Sequence, residues 1–231
     1  RYKSKRLPGK PLAKIGGLPM IVRTYNQCLK VVSRNKIIIA TDSYKIKKVC
    51  NEYKINSIIT SNKCLTGTDR VAEVAKKIKC NFYINVQGDE PICNPRDIKN
   101  IVNFAKKNPN LIVNGYTEIK SREMFNSPNV PKVVFDKNEN LLYMSRAAIP
   151  SNKKKNFIKS WRQVCIYSFP YKSLKIFTSV KKKTKLESIE DLESNRFLEL
   201  GYDVKMLKMS DKSIAVDTKE DLVKVRKLVK D

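Results

Sequence analysis

Short apolar runs alternating with amphipathic helical stretches constrain this chain more than any other feature. Lys36–Thr41 (KIIIAT) reads as a buried strand and Ser43–Tyr53 as the helix that follows it. Ser57–Ser61 is a short strand, and Asp69–Ile78 is helical, with Val71, Val74, Ala75 and Ile78 on one face. Phe82–Gln87 is the next strand. Asn94-Pro95-Arg96-Asp97 then opens a helix, with Asn as N-cap and proline at the first helical position. Strand–helix alternation of this kind implies a mostly parallel sheet covered on both faces, an α/β fold in three layers.

The middle of the chain changes character. Leu111–Thr117, Lys132–Phe135, Leu141–Ser145 and Gln163–Phe169 read as strands joined by loops, an antiparallel insertion over about residues 110–170. Glu187–Leu200 reads as one acidic amphipathic helix, Asp203–Met209 as a strand and Ile214–Val216 as a short one. Thr218-x-x-Asp221 is a capping box that opens the last helix. No repeat or linker interrupts the 231 residues, so a single domain over 1–231 is expected.

Composition narrows the chemistry. The chain has no histidine, which removes imidazole bases, His-based triads and His metal sites. Six cysteines, none in a CxxC pair, fall largely at apolar positions and suit reduced thiols in the cytoplasm. No apolar run approaches the ~20 residues of a membrane span. The formal net charge of +26 calls for an anionic partner. A basic nucleic-acid-binding protein is the alternative from another class. Against it, the lysines are spread along the whole chain, and the runs Lys153–Lys155 and Lys181–Lys183 read as solvated loops or helix ends. A small anionic substrate suits the same field.

Four short stretches carry chemistry. Arg1-Tyr2-Lys3-Ser4-Lys5-Arg6-Leu7-Pro8-Gly9-Lys10 crowds cations around a glycine, a loop able to cradle phosphates; the alternative is an exposed basic terminus. It lacks the GxxxxGK[ST] spacing. Thr66-Gly67-Thr68-Asp69-Arg70 puts hydroxyls at a helix start, which suits an anion or a polar base edge, or else ordinary capping by Thr68. Gly88-Asp89-Glu90-Pro91 follows a strand, and Val216-Asp217-Thr218 lies between a strand and a helix. Ligands of open α/β sheets gather at the carboxyl ends of strands. Two carboxylates converging there, Asp89 and Asp217, fit an oxygen-only Mg²⁺ site. Thr218 already caps the helix, which leaves Asp217 free for that role. Glu90 has no assigned role.

In this order the stretches resemble the 3-deoxy-manno-octulosonate cytidylyltransferases (CMP-Kdo synthetases). The matching strings are RYKSKRLPGKPL, ATD at Ala40–Asp42, TGTDR at Thr66–Arg70, VQGDEP at Val86–Pro91, YMSRAAIP at Tyr143–Pro150, QVCIYSF at Gln163–Phe169, LESIEDLESNR at Leu186–Arg196 and AVDTKEDL at Ala215–Leu222. The resemblance runs essentially end to end. It implies the nucleotide-diphospho-sugar transferase (Rossmann-like) sheet with its antiparallel insertion. It also implies Mg²⁺-dependent transfer of CMP from CTP to a 2-keto-3-deoxy sugar acid, Kdo above all, with release of pyrophosphate, in lipopolysaccharide or surface-glycan biosynthesis. By motif position it implies that Arg1, Arg6 and Lys10 hold the triphosphate and that Thr66, Gly67 and Arg70 frame the cytosine. Asp89 and Asp217 would hold the metal and, with Lys10, form the catalytic set. Gln87, Arg146, Gln163, Tyr167, Glu187 and Glu190 would face the sugar, with Arg146 the best partner for its carboxylate. The family also implies a homodimer, through the middle strands, and an apolar strand preceding Arg1.

The departures cluster in the segments assigned to the sugar. Gln163 stands where the family has His, Cys165 where it has Gly, and Ser194-Asn195 where it has Gln-Leu. Transfer to an amino-substituted Kdo or a nonulosonic (sialic-type) acid is therefore the alternative within the class.

Overall fold

A computed structural model describes residues 2 and 6–229. From the amino end, a 3-10 turn at Lys10–Leu12 leads into strands β1 (Lys14–Ile15) and β2 (Leu18–Pro19), helix α1 (Met20–Leu29), β3 (Ile39–Thr41), α2 (Tyr44–Glu52), β4 (Ser57–Ile59), α3 (Gly67–Lys77), β5 (Phe82–Val86) and α4 (Pro95–Lys107). There follow β6 (Val113–Glu118), α5 (Arg122–Asn126), β7 (Lys132–Phe135), β8 (Leu141–Ser145), β9 (Trp161–Pro170), α6 (Tyr171–Phe177), α7 (Lys185–Glu190), α8 (Ser194–Glu199), β10 (Lys205–Lys208) and α9 (Lys219–Leu228). The packing divides into two compact units. Unit 1 takes the chain up to Ile78, Val86–Asn100 and the chain from Lys212 onward; unit 2 takes Lys79–Asn85 and Ile101–Asp211.

Unit 1 is built on distant apolar contacts. Leu7, Ile15 and Met20 from the amino end form one buried cluster with Val216, Leu222 and Val225. A second cluster joins Val22 and Tyr25 of α1 to Ile39, Ile46, Cys50 and Ile55. Each such side chain contributes about 1.5–3 kcal/mol on burial, so the first cluster ties the basic loop to the segment before α9. Strands β3 and β4 pair in parallel, with α2 supplying the crossover connection that parallel neighbours need.

Unit 2 holds a mixed sheet in the order β10-β6-β9-β7-β8, with β5 also pairing β9. The β10–β6 pair is parallel, and β6–β9, β7–β9 and β7–β8 are antiparallel. The antiparallel pairs come from the middle segment expected to differ.

The local signals act as anticipated at several ends. Asn94 Oδ1 accepts from the Arg96 N–H at 3.0 Å at the start of α4, and Thr218 and Asp221 form the capping box of α9. Two elements differ from expectation. The stretch read as one helix over Glu187–Leu200 is two, α7 and α8, because Asp191 adopts a left-handed conformation at φ 51° that ends the first. Ile214–Val216 forms no strand; the Val216 N–H donates to the Asp89 carbonyl at 2.9 Å instead.

Candidate active site

The basic loop turns inward at Gly9, whose φ of 70° lies in the left-handed region that glycine tolerates. The next residue, Lys10, is 7% exposed. Its ammonium donates to Asp89 Oδ2 at 2.6 Å and to Asp217 Oδ1 at 3.1 Å. Arg6 Nη2 reaches the same Asp217 oxygen at 3.2 Å. Thus four residues singled out in the sequence, two cations and two acids from three distant segments, meet in unit 1. Burial works against the charge on Lys10, but Asp89 and Asp217 together outweigh it and hold the pKa above the ordinary lysine value. Arg1 lies outside the described residues.

Local structure explains why the two carboxylates converge. Asp89 lies just beyond β5, and its carbonyl takes the Val216 N–H, which sets Asp217 beside it. Asp221 accepts the backbone N–H groups of Asp217 at 3.0 Å and Thr218 at 2.9 Å. Thr218 and Asp221 thereby share the capping work, and the Asp217 carboxylate is left to face the cations. Gly88 makes no left-handed turn; an added Cβ would come within 2.6 Å of the Ile21 Cδ1 methyl, which would have to swing aside, and Thr24 Oγ1 donates to the Gly88 carbonyl at 3.2 Å. Glu90 is buried.

Thr66, not Thr68, is the N-cap of α3; its side chain accepts from the Asp69 N–H while Asp69 accepts from the Thr66 N–H. Gly67 is the first helical residue. Arg70 is held by Asp42, Nη2 to Oδ2 at 3.1 Å, and by the Thr60 hydroxyl. The Arg70 and Asp42 side chains are only 11% and 16% exposed. Asp42, the acid of ATD, carried no assigned role; the signal was its place just after a buried strand.

The residues assigned to the sugar separate into groups. Gln87 belongs to unit 1, where its carbonyl accepts the Glu90 N–H at 3.2 Å. In unit 2, the β6–β9 register shifts between Asn114 and Gly115, whose partners are Tyr167 and Val164. The intervening bulge holds Cys165. In a regular strand, residues four apart stand about 13 Å apart; here Gln163 Nε2 donates to the Tyr167 hydroxyl at 2.9 Å, and to Asn114 Oδ1 at 2.9 Å. Both side chains are buried. Burial, then the neighbouring Cys165 and Glu193, push the Tyr167 phenol well above its ordinary pKa, so it stays a neutral hydroxyl.

Arg146 and Glu190 form one joint. The Glu190 carboxylate accepts from the Ser145 hydroxyl at 2.6 Å, the Arg146 N–H at 2.8 Å and the Tyr143 hydroxyl at 3.3 Å. Burial raises its pKa, but these donors prevail and hold it below the ordinary glutamate value.

Glu187 departs from expectation. It is fully buried, and both its oxygens take the Arg196 guanidinium at 2.6 Å. Arg196, also fully buried, donates to the Phe177 carbonyl at 3.1 Å and lies 3.8 Å from the Phe177 ring centre. A carboxylate so enclosed is an internal ion pair, not an open sugar contact. Sequence spacing concealed it, because nine residues separate the partners and the break at Asp191 brings them together.

Among the described residues no cluster of three or more Cys, Asp or Glu could by itself enclose a metal. The two aspartates that share the Lys10 ammonium are nevertheless a fit donor set for Mg²⁺, which takes one or two carboxylates and completes its shell with water and phosphate oxygens.

The sequence and the fold have counterparts in known proteins. Residues 1–213 match the family described as Cytidylyltransferase, which defines the class. The chain belongs, within it, to the 3-deoxy-manno-octulosonate cytidylyltransferases, the CMP-Kdo synthetase family. It is 35% identical over 234 residues to the 3-deoxy-manno-octulosonate cytidylyltransferase of Syntrophus aciditrophicus (strain SB), covering 99% of this chain and 94% of that protein. It is 34% identical over 228 residues to the 8-amino-3,8-dideoxy-manno-octulosonate cytidylyltransferase of Shewanella halifaxensis (strain HAW-EB4), covering 96% and 92%. A solved CMP:2-keto-3-deoxy-manno-octonic acid synthetase complexed with CTP superposes with a TM-score of 0.90 at 32% identity, over 99% of this chain and 94% of that one. The fold is therefore the α/β nucleotidyltransferase fold that the resemblance implied, and the chain is a cytidylyltransferase. Among the described residues no helix is long and apolar enough to cross a membrane.

Proposed function

We propose that this enzyme transfers CMP from CTP to the anomeric hydroxyl of a 2-keto-3-deoxy sugar acid, Kdo in the first place, and releases pyrophosphate. The observation that carries the reading is the Lys10 ammonium bonded to both Asp89 and Asp217, with Arg6 alongside. Such a cluster can exchange its internal ion pairs for phosphate oxygens and a divalent cation. The names of the relatives support the sugar and the nucleotide.

In this reading Arg1, Arg6 and Lys10 bind the triphosphate, and Thr66, Gly67 and Arg70 frame the cytosine. Gln87, Arg146, Gln163, Tyr167 and Glu190 face the sugar acid, and Glu187 supports them from within. Asp89 and Asp217 would hold Mg²⁺, which when bound would supply charge neutralisation at the phosphates and favour ionisation of the attacking hydroxyl. The protein's own work is positioning and charge compensation, since phosphoryl chemistry of this kind leaves little covalent work for side chains. Lys10 neutralises charge at the phosphates, and Arg70, locked by Asp42 and Thr60, presents a fixed fork.

The enzyme acts in the cytoplasm, in lipopolysaccharide or surface-glycan synthesis, as a single 1–231 domain and as a homodimer through the middle strands. Support for the last comes from β8, the end strand of its sheet, whose Leu142 is 62% exposed. A second reading, 8-amino-3,8-dideoxy-manno-octulosonate as acceptor, is favoured by the Shewanella relative and by the departures at Gln163, Cys165 and Ser194-Asn195. Pyrophosphate release is measured with each nucleoside triphosphate against Kdo, its 8-amino analogue and nonulosonic acids. Release requiring CTP, Mg²⁺ and Kdo is expected. Preference for the amino sugar selects the second reading, and no release with any acid overturns both.

A further inference from the structure

Lys132 has no solvent exposure, and lysine is rarely buried without an acidic partner. Its ammonium donates to two neutral acceptors, the Ser127 carbonyl at 2.8 Å and the Arg146 carbonyl at 2.6 Å. Neither cancels its charge. In the sheet it pairs with Ser145 across β7–β8 and with Arg162 across β7–β9, so a second cation-bearing position borders it.

The Arg146 side chain completes the picture. Nε donates to the Glu190 carbonyl at 2.7 Å, Nη1 to the Pro128 carbonyl at 2.9 Å and Nη2 to the Asp191 carbonyl at 3.3 Å. A guanidinium has five N–H donors, so two remain for a ligand. The nearby acid, Glu190, is satisfied by Ser145, Tyr143 and the Arg146 backbone. The charged groups acting on the Lys132 ammonium are therefore Arg146 and Glu190, and the acid is already bonded elsewhere. Burial first, then Arg146, lower the Lys132 pKa, with Glu190 opposing; an arriving anion would relieve that strain on the ammonium.

We propose that Lys132 is a positioning residue for substrate: it holds the Arg146 backbone from inside the sheet, so that the Arg146 guanidinium is presented to an anionic ligand. The ligand class is the carboxylate of a sugar acid, seated on the two remaining Arg146 donors. This deepens, and rests on, the reading in which Arg146 faces the sugar acid.

The test uses the whole protein with CTP, Mg²⁺ and Kdo. Lys132→Met removes the charge at similar length, and Lys132→Arg keeps it. The KM for Kdo rises about tenfold in Lys132→Met, about 1.4 kcal/mol, while the KM for CTP is unchanged, and Lys132→Arg restores most of the loss. Equal changes in both KM values, a loss in kcat alone, or equal effects of the two substitutions overturn the proposal and leave a purely structural lysine. If thermal melting shows that Lys132→Met does not fold, the wild-type protein decides. Its Lys132 ammonium resonance, assigned by its loss in Lys132→Arg, shifts when Kdo is added, and an unmoved signal overturns the proposal. Should wild-type enzyme transfer CMP to no sugar acid, the functional reading fails and the assignment falls with it; turnover by wild type with an unchanged KM in Lys132→Met refutes the assignment alone.

Discussion

Replacing Glu187 by glutamine decides what α7 contributes. Both carboxylate oxygens accept from Arg196 at 2.6 Å, and both side chains are fully buried. The same carboxylate accepts the Thr184 N–H at 3.1 Å as part of the α7 capping box. Glutamine keeps the shape and one acceptor, but it turns an NH₂ group toward the guanidinium and strands a cation against the Phe177 ring. Breaking a buried pair from one side costs about 3–5 kcal/mol, a large share of the roughly 5–15 kcal/mol that holds a protein folded. At this chain length about 2–4 °C of melting temperature corresponds to 1 kcal/mol, so Glu187→Gln melts about 6–20 °C below wild type. Calorimetry or circular dichroism reads this directly. The double replacement Glu187→Met with Arg196→Leu removes both charges and recovers most of the loss, because the pair's attraction largely offsets its own desolvation. At a temperature where Glu187→Gln is folded, its KM for the sugar acid stays near wild type. A variant that melts with the wild type yet binds the sugar acid poorly would refute the reasoning and return Glu187 to the substrate.

Other perturbations probe the remaining groups. Asp217→Asn lowers turnover by at least about 10²-fold, the scale of losing one preorganised charge, yet shifts stability by no more than about 1 kcal/mol, since its pairs with Arg6 and Lys10 are partly exposed; near-normal turnover removes it from the site. Asp42→Ala frees the Arg70 fork and raises the KM for CTP about 10- to 100-fold, with the KM for the sugar acid unchanged; steady-state kinetics in both substrates separate the two. Glu190 has a folded pKa below its ordinary 4.5, so its stabilisation is present above pH 4.5 and is lost as pH falls through the folded value. Melting temperatures of wild type and Glu190→Gln accordingly differ near neutrality and converge in acid; a gap that persists in acid contradicts the assignment.

What could be read in the sequence was what local physics determines. The apolar run before Gly88, the proline and asparagine before α4, and the Thr218–Asp221 box are each decided within a few residues, and each appears where anticipated. The pairing of Lys10 with Asp89 and Asp217 was legible only as convergence at strand ends; the agent is the cluster joining Leu7, Ile15 and Met20 to Val216, Leu222 and Val225, which no local pattern reveals. Glu187 was misjudged for a related reason. On an uninterrupted helix, Glu187 and Arg196 at nine residues' separation do not form an i,i+4 pair, and only the left-handed Asp191 brings the two short helices together. Gln163 and Tyr167 needed the bulge at Cys165, and Lys132 reads in sequence as an ordinary polar strand residue, since burial of its ammonium depends on carbonyls at Ser127 and Arg146.

The charge distribution links these observations to the proposed chemistry. Arg6 and Lys10 set against Asp89 and Asp217 sum to zero, inside a chain with a formal net charge of +26. The surplus therefore lies outside the quartet, where it acts at long range on an anionic substrate. At close range a triphosphate meets cations whose charge is already compensated. If it takes Arg6 and Lys10 alone, two aspartates are left facing phosphate oxygens. If a divalent cation takes the aspartates alone, it must displace an ammonium that those same acids hold in its charged form. Each arrival leaves a charge that only the other can neutralise. On the proposed reading, nucleotide and cation therefore favour each other's binding, and by linkage they do so by the same factor in either order.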